Sequence, residues 1–239
     1  MDFQSIALSE EDMKLSIIVP VYNERTTIKE IFQKLIRVPV EKEIIIVDDG
    51  SKDGTTEILK EIQMTTGEQN LKIIFKSKNE GKGSAIREGL KYVSGDVVVI
   101  QDADLEYDPM DFIKLIKPIE EGKADVVYGS RILGKNPKSS FSFYLGGRLL
   151  SWISNILYRT SITDEPTCYK MFKTDVIKSI NLRCKGFEFC PEVTAKLAKR
   201  GIKIHEIPIK YNPRSKREGK KIKWKDGLIA IWVLLKNRF

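Results

Sequence analysis

The 239-residue chain holds one histidine, His205, and three cysteines, Cys168, Cys184 and Cys190, in no paired spacing. One imidazole and no thiol pair are too few ligands for a zinc centre. A Ser-His-Asp triad would have to use His205, which alternates with apolar neighbours in Ile204-His205-Glu206-Ile207 and reads as a strand-surface residue. An odd, unclustered set of thiols is expected to stay reduced, as buried small hydrophobes of a cytosolic protein. Apolar runs stay far below the roughly 20 residues that cross a bilayer. The opening residues include Asp2, Glu10, Glu11 and Asp12, so no secretory leader is expected. Nucleotide fingerprints are incomplete too. Gly81-Lys82-Gly83 is followed by Ile86 where a third glycine belongs, and the P-loop spacing is absent. These absences exclude a nicotinamide dehydrogenase and a P-loop nucleotidase.

Hydrophobic residues make up 41% of the chain and charged residues 31%, which supports a packed core rather than disorder. The length fits one large α/β domain. Positive charge is local. Lys210 to Lys225 holds eight basic residues and one acid, Glu218, and so carries +7 of the net +8. Such a window suits a polyphosphate, an anionic membrane or nucleic acid.

The first half alternates strand and helix. Apolar runs at Leu15–Val19, Ile44–Val47, Leu71–Phe75, Asp96–Ile100 and Asp125–Tyr128 read as strands. Between them, Ile28, Ile31, Phe32, Leu35 and Ile36 recur at helical spacing. Asp53 reads as the N-cap of a helix through Ile62, Gly83–Val93 as a further helix, and Asp108-Pro109 as the start of another. β-Branched strands alternating with helices predict a mainly parallel sheet covered on both faces. The second half is less regular. Leu145, Leu149, Trp152, Ile153 and Ile156 form an apolar stripe opposite Arg148, Ser151, Asn155 and Arg159. The stripe is expected to pack on the domain, with a membrane or an acceptor groove as the alternative. Strands at Cys168–Phe172 and Lys203–Ile209 and helices at Pro191–Arg200 and Gly227–Leu235 complete the chain.

Ligands of such sheets bind beyond the carboxyl ends of the strands. Four polar segments follow strands directly: Tyr22-Asn23-Glu24, Asp48-Asp49-Gly50-Ser51, Ser77 to Lys82, and Asp102-Ala103-Asp104. Asp102 and Asp104 repel one another unless a cation lies between them, and together they can hold a divalent ion that also binds a diphosphate. Glu106 is near enough to add a third oxygen. The Asp48–Ser51 segment suits ribose or base hydroxyls, or else a plain turn and helix cap. Backbone N–H groups of the Asn79–Gly83 turn, with Lys82, suit a phosphate or a base edge.

These segments, in this order and spacing, resemble the family 2 glycosyltransferases of GT-A fold. Ile17–Glu24, Val47–Gly54, Asn79–Gly83 and Asp102–Asp104 carry the likeness, which continues through Tyr128–Arg131 and Asp164–Lys170. The dolichyl- and polyprenyl-phosphate sugar synthases are the nearest group. The resemblance implies a single GT-A (Rossmann-like) α/β domain with a nucleotide-sugar half at about 14–131 and an acceptor half at about 132–239. It implies that Pro20, Tyr22, Glu24, Val47 and Asp49 hold the nucleoside. Lys82, Asp102, Ala103, Asp104 and Arg131 would meet the donor, a UDP- or GDP-linked sugar. Arg214 and nearby lysines would close over its diphosphate. Asp104, with Glu106, would hold Mg²⁺ or Mn²⁺. The acceptor implied is a lipid phosphate, the partners include no nucleic acid, and the place is the cytoplasm, with peripheral contact on the cytoplasmic membrane face left open. The chain departs from the family at Asp164-Glu165-Pro166-Thr167-Cys168-Tyr169-Lys170 and at Gly186–Glu192, segments expected to bear on sugar and acceptor.

An acceptor phosphate is mostly ionised near pH 7, since its second pKa is about 6. A hydroxyl acceptor would instead need a base, for which Asp164, Glu188 and Glu192 are candidates. With Asp102 and Asp104, Asp164 and Glu192 form the catalytic set expected. Two other classes compete. A non-catalytic basic protein binding nucleic acid or anionic lipid accounts for the Lys210–Lys225 window, with Tyr211 and Trp224 as stacking residues, but not for four polar strand ends. A nucleotidyltransferase accounts for the paired acids but not for Val-Asp-Asp-Gly-Ser.

Overall fold

The computed structural model describes residues 13–137, 141–214 and 221–239. Seven strands form one sheet: β1 (Leu15–Val21), β2 (Lys42–Asp48), β3 (Leu71–Phe75), β4 (Val97–Ile100), β5 (Val126–Ser130), β6 (Lys170–Lys173) and β7 (His205–Pro208). Their spatial order is β3-β2-β1-β4-β6-β5-β7. All neighbours run parallel except β6, which is antiparallel to both β4 and β5. The expected mainly parallel sheet is present, with one reversed strand near its middle.

The sequence dictates the burial. Ile17, Ile18 and Val19 in β1, Ile45 to Val47 in β2 and all of β4 are shut off from solvent. That is the continuous apolar run of strands covered on both faces. Helix α1 (Ile28–Arg37) turns Ile28, Ile31, Phe32 and Leu35 inward. Helices α2 (Thr55–Thr65), α3 (Lys82–Gly89) and α4 (Phe112–Glu120) follow β2, β3 and β4. A short α6 (Thr174–Ser179), for which the sequence offers no clear signal, follows β6, and α7 (Phe189–Lys199) precedes β7. Gly54, in the left-handed region, occupies the N-cap of α2 instead of Asp53. The Asp53 carboxylate still accepts the Thr55 N–H at 3.1 Å.

Helix α5 (Phe141–Tyr158) corrects the expectation for the apolar stripe. Leu145, Leu149, Trp152 and Ile156 face solvent; only Ile153 turns partly inward. The inner side is taken by residues with polar work to do. Ser151 Oγ accepts from the Glu165 N–H at 2.9 Å, and the Tyr158 hydroxyl donates to the Leu234 carbonyl of α8 (Trp224–Arg238) at 2.5 Å. Tyr158, Ala195 and Leu234 join α5, α7 and α8 in a small second core. Among the described residues no helix is long and apolar enough to cross a membrane. The three cysteines are free and buried, as expected.

Candidate active site

Strand order reverses at β1, which has β2 on one side and β4 on the other. The crevice beyond the carboxyl ends of these strands is where such sheets bind ligands. Tyr22–Glu24, Asp48–Ser51 and Asp102–Asp104 all emerge there, so the structure brings together what the sequence placed on separate strands.

Asp102 and Asp104 leave β4 on a turn whose Leu105 has φ +62°. A branched residue pays for the left-handed region with about 1–2 kcal/mol. The turn is closed by the Glu106 N–H donating to Asp104 Oδ1 at 3.1 Å. Four acids and three bases then interlock. Arg214 Nη2 donates to Asp104 Oδ2 at 3.0 Å, and Nη1 donates to Glu24 Oε2 at 3.3 Å. Arg214 Nε lies 3.7 Å from Glu106 Oε1, too long for a hydrogen bond, and is buried with no other acceptor among the described residues. Lys221 Nζ donates to Glu24 Oε1 at 2.7 Å and to the Tyr22 carbonyl. Lys82 Nζ pairs with Asp102 Oδ1 at 2.5 Å and reaches Cys168 Sγ at 3.3 Å.

The electrostatics divide the two aspartates. Burial opposes ionisation of Asp102, but the Lys82 ammonium holds its carboxyl below the usual range. Burial, together with the charges of Asp102 and Glu106, pushes the Asp104 carboxyl up to about 7 against the pull of Arg214. Negative charge is therefore in excess at Asp104. No three His, Cys, Asp or Glu side chains among the described residues form a ready-made metal cage. Magnesium-type sites rarely need one, because one or two carboxylates plus substrate phosphates suffice. The neighbouring carboxylates of Asp104 and Glu106, which share the single guanidinium of Arg214 among the described residues, fit such an ion.

Other expected residues have different partners. Asp49 accepts the Glu80 N–H at 3.1 Å, the Gly81 N–H at 2.6 Å and Lys76 Nζ at 2.6 Å. Gly83 N–H and Ser84 N–H donate to the Gly186 and Lys185 carbonyls at 3.1 and 3.0 Å. The Glu80, Gly81 and Gly83 N–H groups are thus taken by protein acceptors, where a phosphate or a base edge was expected. Gly81 has φ +100°, and a Cβ there would stand 2.4 Å from the Lys185 carbonyl oxygen. Val47 is wholly buried within β2, Pro20 pairs beside it on β1, and Ala103 is buried between the two aspartates.

Asp164 faces Arg131 in a bidentate pair, Nε to Oδ2 at 2.8 Å and Nη2 to Oδ1 at 2.7 Å, and also accepts the Arg131 N–H at 2.8 Å. Glu192, on α7, is not joined to this cluster by any hydrogen bond or ion pair among the described residues. It accepts the Arg183 N–H at 2.9 Å, the Cys184 N–H at 2.7 Å and the Lys196 ammonium. These donors hold its pKa below the usual value although burial opposes them. A carboxylate spent in this way clasps the 183–188 loop to α7 and is a poor proton acceptor. Glu188 likewise accepts the Lys185 and Gly186 N–H groups at 2.9 and 3.0 Å.

Sequence reasoning missed Tyr107, and it read Tyr211 only as a stacking residue. The Tyr211 hydroxyl donates to Glu106 Oε2 at 2.8 Å, and Tyr107 stacks on Tyr169 with centroids 4.6 Å apart. The signal available was their place next to the acids and inside the basic window. Lys216, Arg217 and Lys220 of that window lie outside the described residues.

Residues 16–180 match the pattern described as Glycosyl transferase family 2. The chain is 31% identical to a dolichol-phosphate mannosyltransferase of Pyrococcus furiosus over 87% of its own length and 59% of that protein's. It is 34% identical to a UDP-N-acetylglucosamine–dolichyl-phosphate N-acetylglucosaminyltransferase of Methanococcus voltae, over 83% of this chain and 86% of that one. It is 30% identical to an undecaprenyl-phosphate 4-deoxy-4-formamido-L-arabinose transferase of Edwardsiella ictaluri over 86% of this chain and 62% of that one. The chain thus spans less than two thirds of two of these three relatives. Its fold is that of glucosyl-3-phosphoglycerate synthase from Mycobacterium tuberculosis, solved with Mn²⁺ and UDP, with a TM-score of 0.73 at 18% identity over 94% of this chain and 80% of that one.

Proposed function

The chain belongs to glycosyltransferase family 2, and from that membership we propose that it transfers a sugar from a nucleoside diphosphate to a polyprenyl phosphate, with inversion. The relatives' names supply the class of acceptor: dolichyl or undecaprenyl phosphate in each of the three. One observation favours a phosphate nucleophile over a hydroxyl. Each carboxylate that would serve a hydroxyl as base, Asp164, Glu188 or Glu192, already accepts two or more N–H donors. A phosphate needs no such base, because its second pKa of about 6 leaves it mostly ionised at neutral pH.

In this reading Asp104 and Glu106 hold Mg²⁺ or Mn²⁺, which when bound offsets charge on the leaving diphosphate. Lys82 fixes Asp102 beside them. Arg214 and Lys221, now paired with Glu24, have the charge and reach to turn toward the diphosphate. Tyr22, Glu24 and the β1 and β2 ends border the nucleoside. Arg131, held by Asp164 with its guanidinium 5.1 Å from the Tyr211 ring, meets the donor. Three buried free thiols fit a reducing compartment, and we assign the enzyme to the cytoplasm.

The test is a panel of UDP- and GDP-sugars against a short-chain polyprenyl phosphate, the matching polyprenol and simple saccharides, each with Mn²⁺ or with EDTA. The expected result is one donor, turnover only with metal, and product only from the phosphate. Transfer to a saccharide hydroxyl with none to the phosphate would overturn the acceptor assignment.

A further inference from the structure

The polar stripe along one side of α5 has a common target. Arg148, Ser151 and Asn155 all bond the segment 162–165, which carries Asp164 to the rim of the crevice. Asn155 takes both ends of Ile162, its Nδ2 donating to the carbonyl at 2.9 Å and its Oδ1 accepting the N–H at 3.0 Å. Ser151 accepts the Glu165 N–H. The segment is therefore anchored by neutral groups on either side of Thr163 and Asp164.

The peptide unit between those two residues is held differently. Arg148 Nη1 donates to its carbonyl oxygen at 3.1 Å, and Glu206 Oε1 accepts its N–H at 3.0 Å. Oε2 of the same carboxylate accepts the Thr163 N–H at 2.7 Å. Glu206 lies opposite Tyr128 where β7 runs parallel to β5, beside the strand that leads into Arg131. A cation at the oxygen and an anion at the N–H match the dipole of the peptide itself, about 3.5 D. Hydrogen bonds to charged groups are also roughly twice as strong as neutral ones. Both charges favour one orientation of this peptide and oppose its flip.

A loop already anchored at 162 and 165 has no need of two charges to keep its path. Asp164 does need the orientation. Its carboxylate is buried and takes three donors from one residue, the Arg131 N–H, Nε and Nη2. A tilt of the 163–164 peptide would break all three together. Thr163 adds a 2.6 Å hydroxyl bond to Ser130, the residue before Arg131. Among the described residues Asp164 is the one carboxylate that pairs with Arg131.

We propose that Arg148 and Glu206 are positioning residues, a two-charge clamp on the Thr163–Asp164 peptide that holds the Asp164 carboxylate where it orients Arg131. Support of this kind keeps a binding side chain in one geometry before its ligand arrives. The purpose of the clamp, an Arg131 poised for the donor, rests on the proposed function; the clamp itself is measured without donor.

Arg131 reports its own pairing. In the full chain with isotope-labelled arginine, the Nε–H of a guanidinium locked on a carboxylate exchanges slowly with water, and R131K identifies the signal by its loss. E206A should speed that exchange about tenfold or more, as D164N does, since it removes two bonds to a charged acceptor. On a D164N background E206A should add nothing, because both act through one pair. E206Q, which keeps one acceptor oxygen, should fall between. R148Q removes an exposed side chain that the core does not need, and should speed the exchange about threefold or more. A purely structural role would lower the unfolding midpoint and leave the Arg131 signal as it was. Arg131 as protected in E206A and R148Q as in the unaltered protein would overturn the proposal, and so would effects of E206A and D164N that multiply. Calorimetric binding of UDP-N-acetylglucosamine or GDP-mannose with Mn²⁺ separates the clamp from the reading it serves. R131Q that binds donor normally, with Arg131 freed in E206A, would sink the donor role of Arg131 and leave the clamp standing. R131Q that loses donor, with Arg131 still protected in E206A, would do the reverse.

Discussion

Arg214 stands where a metal ion would be useful, and replacing it should make the metal bind better before the donor arrives. Its guanidinium bonds Asp104 and Glu24 and lies 3.7 Å from Glu106, with Nε buried and unpaired among the described residues. A cation that satisfies three carboxylates imperfectly is one that can be displaced. Two unit charges about 4 Å apart at an effective dielectric near 20 attract by roughly 4 kcal/mol. Desolvation of both partners cancels much of that, leaving on the order of 1–2 kcal/mol to be overcome by an incoming ion, or roughly tenfold in its dissociation constant. R214Q should therefore bind Mn²⁺ about tenfold more tightly than the unaltered protein when no nucleotide is present. Arg214 also lowers the Asp104 pKa, so its loss favours the protonated acid, and the comparison belongs at pH 8. Free Mn²⁺ is read by electron paramagnetic resonance, which needs no turnover. Adding the nucleoside diphosphate should erase the advantage, because Arg214 has by then left Asp104 for the diphosphate, and R214Q should bind that nucleotide more weakly. Equal Mn²⁺ affinity of the two proteins without nucleotide would refute the reasoning.

Asp104→Asn should stabilise the metal-free protein. Asp104 has its folded pKa raised from 3.8 to about 7, so its contribution is fully favourable below 3.8 and is lost as pH rises through about 7. The gain from Asn, about 1–3 kcal/mol after allowing for relaxation, should be largest near pH 8 and shrink toward pH 4 in denaturant titrations, and a gain independent of pH would contradict this. Glu192→Gln should lower stability by about 1–3 kcal/mol through its buried N–H partners, yet leave the pH profile of kcat/KM unmoved; loss of a pKa from that profile would restore Glu192 as a base. Gly81→Ala meets a positive φ and a carbonyl oxygen at 2.4 Å, so it should cost upward of about 2 kcal/mol in urea unfolding, and a neutral result would show that the turn is looser than drawn.

The parallel half of the sheet was readable because its strands are uninterrupted apolar runs, each closed by a polar segment that has no place in the core. The same contrast exposed Glu24, Asp102 and Asp104. What periodicity could not supply was direction and orientation. Lys170–Lys173 reads as a strand in either sense, so its antiparallel course was invisible. The α5 stripe was visible, but not that Ser151 and Tyr158 would claim the inner side with hydrogen bonds to Glu165 and Leu234. Glu192 was a candidate base for a hydroxyl acceptor, in a segment that departs from the family. Its actual partners are the Arg183 and Cys184 N–H groups, which local sequence does not announce. Lys221 belonged to a basic window legible as a whole, while its particular bond to Glu24 spans 197 positions.

The reversed strand has a mechanical consequence. Because β6 runs against β4 and β5, the loop entering it, residues 163–169, arrives at the same rim from which Asp102 and Arg131 depart. The Cys168 N–H of that loop donates to the Tyr107 hydroxyl at 3.2 Å, and Asp164 accepts from the Arg131 N–H. The loop therefore touches both walls of the crevice, since Asp164 grips Arg131 and Cys168 meets the Lys82 that holds Asp102. A substitution at either position would be felt at β4 and β5 together, so these seven residues act as a hinge pin between the two halves of the rim.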